Sequence, residues 1–148
     1  MKISVGSDER TALTDAVVEA LRDRGHEVVL HGLLAGGKEE WAEVGGTVGA
    51  EVAQGDAEHG VLFCWTGTGA SIAANKVAGV RAALCADSET ARGARRWNRA
   101  NVLVMSLRAT SETVGVEILD AYLEDPPEAD DFDRRNLAHI DGLEAGER

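Results

Sequence analysis

Aromatic residues are scarce in this sequence, prolines number two, and the only cysteines are Cys64 and Cys85. Two cysteines are too few for a disulfide framework and fit a reducing, cytoplasmic setting. No run of about 18 apolar residues occurs, which leaves no candidate transmembrane helix. The opening MKISVGSDERT lacks the apolar stretch and small-residue cleavage site of a secretory leader, so secretion is not expected. Positive charge is in deficit: 15 Lys and Arg against 26 Asp and Glu give a formal net charge of −11. That balance argues against nucleic acid or an anionic membrane as a partner, because both attract basic surfaces. His26, His31, His59 and His139 show no metal-ligand spacing, and neither a metal nor a cofactor is expected.

What the sequence does have is alternation. Short apolar runs are followed by segments of helical period, the pattern of βαβ units around a parallel sheet. KISVG (2–6), HEVVLH (26–31), GVLFC (60–64), VRAALC (80–85) and NVLVMSL (101–107) read as five strands. Between them, Leu13, Val17, Ala20 and Leu21 share a helical face, as do Trp41, Val44, Val48 and Val52. ASIAANKV and the basic segment 88–97 supply two more helices, and Ser111 is placed to cap a last one that Pro126 and Pro127 end. The predicted fold is a three-layer, doubly wound (Rossmann-like) α/β domain with a five-stranded parallel sheet over 1–127. A C-terminal helical arm follows over 128–148, with Phe132, Leu137 and Ile140 as its anchors.

In such folds ligands bind beyond the carboxyl ends of the strands, which singles out 6–10, 64–71, 85–88 and 107–110. Cys64 ends the central strand just before a helix, where the positive end of the helix dipole favours thiolate; its other reading is an inert buried thiol. Gly67 and Gly69 let backbone N–H groups approach an oxyanion or phosphate, or serve turn geometry alone. GTGASI is a weak nucleotide signal, since it lacks the third glycine of a dinucleotide fingerprint. Asp8 can accept hydrogen bonds from sugar hydroxyls or cap a turn. Arg108 can hold an anion, and Asn98 can orient a hydroxyl.

At CWTGTGASIAANKVAGVRAALC (64–85) the sequence resembles the type B ribose-5-phosphate isomerases and the LacA/LacB galactose-6-phosphate isomerases, whose pattern is close to CGTGxGxSIAANKxxGIRAAxC. ARRWNRANVLVMSLR (94–108) and KISVGSD (2–8) match two further segments of the family. The resemblance implies metal-independent aldose–ketose isomerisation through a cis-enediolate. It implies Cys64 as the base moving a proton between C1 and C2, with Thr66 assisting transfer among the oxygens. Gly67, Thr68, Gly69 and Ser71 would stabilise the enediolate, and Asp8 and Asn98 would hold sugar hydroxyls. It also implies a homodimer or tetramer with the active site at a subunit interface.

The departures bear on substrate. The family's ring-opening histidine is Trp97 here, and an indole donates one hydrogen bond and exchanges no proton near neutral pH. A histidine near the phosphate becomes Glu9, and one arginine of the phosphate cluster becomes Asp131, while Arg108 and Arg135 remain. Like charges about 4 Å apart repel by roughly 1 kcal/mol in water and several-fold more in an interior. Unless Arg10 and Arg134 substitute or the arm is repositioned, a standard sugar phosphate should bind poorly. Trp41, Trp65 and Trp97 point to a different pocket wall. Three readings follow: an isomerase for a modified, acyclic or unphosphorylated sugar; an ordinary ribose-5-phosphate isomerase with a rearranged anion site; and a catalytically silent sugar-binding homologue.

Overall fold

Five strands and six α-helices alternate along the chain in a computed structural model that describes residues 1–147; position 148, the last of the predicted arm, lies outside the described residues. The order is β1 (Lys2–Ser7), α1 (Ala12–Asp23), β2 (Glu27–Gly32), α2 (Trp41–Gln54), β3 (His59–Cys64), α3 (Thr68–Asn75), β4 (Ala82–Leu84), α4 (Ser88–Asn98), β5 (Val102–Ser106), α5 (Glu112–Leu123) and α6 (Asp131–Glu144). A short 3-10 turn, Leu33–Ala35, interrupts the glycine-rich loop after β2. All strand pairs are parallel, in the order β2-β1-β3-β5-β4. No helix among the described residues is long and apolar enough to cross a membrane.

The apolar runs of β3 and β5 follow from burial on both faces of the sheet. Val61, Phe63, Leu103 and Met105 point to one side, where they meet Val17, Ile118, Leu119 and Tyr122. Leu62, Cys64, Val102 and Val104 point to the other, against Val44, Val48, Ala70 and Ala74. The side-chain period of two thus divides each strand between two cores. Helices start where short polar side chains satisfy their first amides: Thr11 closes a reciprocal capping box with Thr14, and Ser111 accepts from Val114, as expected.

The arm does form a docking helix. Leu137 is fully buried and Ile140 half-buried, and Arg81 binds the helix through Asp141 at 2.5 Å and Glu144 at 3.1 Å. Phe132 is not an anchor: it is 65% exposed. With Asp130 capping the helix, Phe132 stands five residues before Leu137, about 140° around the axis at 3.6 residues per turn, so burying Leu137 turns Phe132 outward.

His59, at the start of β3, hydrogen-bonds the Tyr122 hydroxyl at 3.0 Å, and that hydroxyl donates to the Ala100 carbonyl. Burial is the main cause that lowers the His59 imidazole to about 4, with the nearby Arg95 cation adding to it. Arg95 itself donates to the carbonyls of Tyr122 and Ala100, each at 3.1 Å. This network fastens α4 and α5 to the amino-terminal edge of the sheet.

Candidate active site

The topology reverses at β1: β2 lies on one side of it and β3 on the other. Ser7 pairs with Phe63, so Asp8 and Cys64 leave adjacent strands at the same level, on the carboxyl edge where an open parallel sheet forms its crevice.

Cys64 is buried, and the backbone N–H of Ala70 donates to its Sγ at 3.5 Å. Ala70 stands in the first turn of α3, so the sulfur also faces the positive end of that helix. Cys85 is placed differently. Its Sγ donates to the Ala83 carbonyl at 3.6 Å, and burial pushes the thiol up to about 11.

The turn between β3 and α3 depends on Gly67, which has φ of +80°. A Cβ there would lie 2.5 Å from Leu84 Cδ1 and 3.2 Å from the Met105 carbonyl carbon. Thr66 and Thr68 share a hydroxyl–hydroxyl hydrogen bond of 2.8 Å at the exposed rim, and Ser71 donates its amide to the Gly67 carbonyl. A Cβ at Gly69 would meet the Trp41 ring at 2.8 Å, so the indole of Trp41 lies directly against the glycine turn.

Asp8 is half-buried, and its Oδ1 is buried with no hydrogen-bond partner among the described residues. A carboxylate oxygen in that state is placed for a donor from outside the chain. The Glu9 carboxylate is exposed; its backbone is fixed by Ser7, whose hydroxyl donates to the Glu9 carbonyl at 2.5 Å and accepts its amide at 3.2 Å. Arg108 is exposed on the same edge, its amide bound to the Trp65 carbonyl.

The sequence-derived site divides into two groups. Asp8, Glu9, Cys64, Thr66, Gly67, Thr68, Gly69, Ser71 and Arg108 gather at the carboxyl edge of the sheet. Trp97, Asn98 and Arg135 do not join them. Trp97 and Asn98 end α4, whose chain then enters β5 at Val102, opposite Gly60 at the start of β3. The Asn98 carbonyl accepts from Arg81, which precedes β4. Arg135 lies on α6 with its guanidinium 6.0 Å from the Phe132 ring centre. The length of β3, about 17 Å, separates Trp97 and Asn98 from Cys64 within one chain. Neither substitute cation is free: Arg10 pairs with Asp15 at 2.9 Å and Arg134 with Asp131.

Two wall residues escaped the sequence reading. Leu84 abuts Gly67, and Ile72 stands 61% exposed on the first turns of α3. Together with Trp41 and Trp65, both about half exposed, they make an apolar rim around the turn. Leu84 was signalled only as an apolar residue ending a strand, and Ile72 only as an apolar residue in the helix after the glycine turn.

A thiol beside a helix amino terminus, an open carboxylate and a glycine turn at the switch point suit an enzyme of the sugar aldose–ketose isomerase class. The Ribose/Galactose Isomerase family model matches residues 3–140, and the chain belongs to that family. It is 37% identical to the galactose-6-phosphate isomerase subunit LacB of Clostridium acetobutylicum over 84% of this chain and 72% of that protein. It is 36% identical to the ribose-5-phosphate isomerase B of Escherichia coli, over 82% and 83% of the two chains. The solved ribose-5-phosphate isomerase B of Clostridium thermocellum superposes with a TM-score of 0.89 at 34% identity, covering 99% of each chain.

Proposed function

We propose that the chain interconverts an aldose and a ketose through a cis-enediolate, with side chains and backbone alone performing the proton transfer. The Cys64 thiolate removes the C2 proton of the open-chain aldose, and the electron pair moves onto the C1 oxygen. Thr66 passes a proton between the two oxygens, and the thiol returns its proton to C1 to give the ketose. The amides of Gly67, Thr68 and Gly69 stabilise the charge that develops on oxygen, those of Ala70 and Ser71 being engaged by Cys64 Sγ and the Gly67 carbonyl, and Asp8 holds a sugar hydroxyl. The observation that carries this reading is the Ala70 amide donating to Cys64 Sγ beside the unpartnered oxygen of Asp8.

The substrate reaches the site already open, or without a full phosphate requirement. Trp97 cannot exchange the proton that ring opening needs. Arg10 and Arg134 are bound to carboxylates, so neither compensates for Glu9 and Asp131.

The protein works as a homodimer whose second chain brings Trp97, Asn98 and Arg135 to the first chain's Cys64. The separation of Trp97 and Asn98 from Cys64 along β3 within one chain supports this, and so does the apolar rim of Trp41, Trp65, Ile72 and Leu84.

The test is steady-state isomerisation of matched phosphorylated and unphosphorylated tetroses, pentoses and hexoses, with Cys64→Ala beside the native chain. Turnover abolished by the substitution supports the assignment. Equal turnover in both would remove Cys64 from the mechanism. Sugar binding without turnover would favour a silent homologue, the reading Trp97 supports.

A further inference from the structure

Four arginines converge around the carboxyl end of α4, at the opposite end of the sheet from the same chain's Cys64. Arg95, Arg96, Arg99 and Arg134 line a surface depression of about 450 Å³, walled by Pro126 and Pro127. The chain as a whole carries a formal charge of −11 with 15 cationic side chains, so this concentration runs against the general character of the surface. Nearby ion pairs account for Arg92, held by Glu89 and Glu124, and for Arg134, held by Asp131. Arg95, Arg96 and Arg99 have no carboxylate partner among the described residues. Glu128 also lines the depression and offsets one charge.

The helix dipole explains only part of the cluster. A helix carboxyl end carries about half a negative charge, against three guanidinium groups without an acid. Two structural features prepare the site for a ligand. Arg95 is half-buried with Nε and Nη1 fixed on the Tyr122 and Ala100 carbonyls and its guanidinium 5.4 Å from the Tyr122 ring centre, leaving Nη2 available. Arg99 adopts φ of +50°, the one non-glycine residue with positive φ among the described residues. Glycine would occupy that position at lower backbone cost, yet the chain places a guanidinium there.

Asn98 faces elsewhere. It lines a different depression with Arg81, Ile140 and Glu144, so the arginines and the sugar-site asparagine occupy separate flanks of the helix end.

We propose that this depression binds a small multivalent anion, held by Arg96 and Arg99 over the fixed guanidinium of Arg95. Planar guanidinium forks suit both phosphoryl and carboxylate oxygens in bidentate pairs. The diproline wall keeps the opposite side rigid. The inference needs no turnover; in the proposed dimer the same helix end carries Trp97 and Asn98, so the depression adjoins the partner's sugar site on the other flank of α4.

Isothermal titration of the full chain with pyrophosphate and with citrate, at low and moderate salt, tests it. Arg96→Gln/Arg99→Gln is the diagnostic variant; Arg24→Gln, at an acid-paired surface arginine, and Arg108→Gln, in the candidate active site, are the comparators. Arg95 stays intact because it also secures α4 and α5. The expected result is one site per chain for at least one anion, weakened about tenfold or more by the double substitution through lost charge-assisted bonds. Binding should fall with salt and persist in both comparators. The preferred anion tells phosphoryl from carboxylate recognition. No heat with either anion at millimolar concentration, or affinity unchanged in the double variant, would overturn the proposal. So would loss in Arg108→Gln alone, which would place the anion in the sugar site.

Discussion

The backbone N–H of Ala70 reaches Cys64 Sγ at 3.5 Å, tying the first turn of α3 to the thiol at the end of the central strand. The Gly67–Ser71 turn therefore does two things at once. It sets the start of α3 at the carboxyl edge of the sheet, and it holds the proposed base in place.

Gly67→Ala should break that arrangement. The residue sits at φ of +80°, and its Cβ would be forced against Leu84 and the Met105 backbone. The expected loss of stability is about 2 kcal/mol or more, with turnover falling further than stability accounts for; denaturant melts and rate measurements on the folded variant check both.

Stability should depend on pH through His59. Its folded value of about 4 lies below the ordinary 6.5, so the unfolded chain binds the extra proton in the window between. The contribution is full above about 6.5 and is lost progressively as pH falls towards about 4. Urea midpoints across this range should drop with acid in the native chain, and the drop should shrink in His59→Gln.

Charge substitutions should move substrate preference. Asp131→Arg removes an acid and releases Arg134 from its ion pair, and Glu9→His removes the second reversed charge. The double variant is expected to raise kcat/KM for a phosphorylated sugar, relative to its unphosphorylated counterpart, on the order of tenfold or more. A ratio unchanged from the native chain would show that neither position faces the phosphate end of the substrate.

Subunit complementation tests the division of the site along β3. Cys64→Ala and Asn98→Ala should each be nearly inactive alone. Refolded together as equal amounts, half the dimers are mixed and each carries one site with both residues intact, so about a quarter of native activity should return. No recovery would place the whole site in a single chain.

Much of this architecture was legible in the sequence, because strands buried on both faces are apolar throughout and their helices keep one apolar stripe. The place of Cys64, Asp8 and the glycine turn followed from the rule about carboxyl ends of strands. What could not be read was three-dimensional pairing. Hydrophobicity marked Phe132 as an anchor, but the Asp130 cap sets a helix phase that turns it outward. Arg10 and Arg134 were candidate anion holders until Asp15 and Asp131 proved to engage them. The motif placed Asn98 in the same site as Cys64, yet the return path of α4 carries it to the other end of the sheet. The approach of Trp41 to Gly69 depends on how α2 meets α3, which no local pattern encodes.

The central claim is that Cys64 moves a proton between C1 and C2, and deuterium exchange followed by NMR in D₂O reads that step directly. Each aldose of the matched panel is incubated with the native chain and with Cys64→Ala. The account predicts deuterium at C2 of recovered aldose or C1 of the ketose with the native chain, and none above background with Cys64→Ala. Exchange that persists in Cys64→Ala, or an absence of exchange with every sugar that binds, would contradict it.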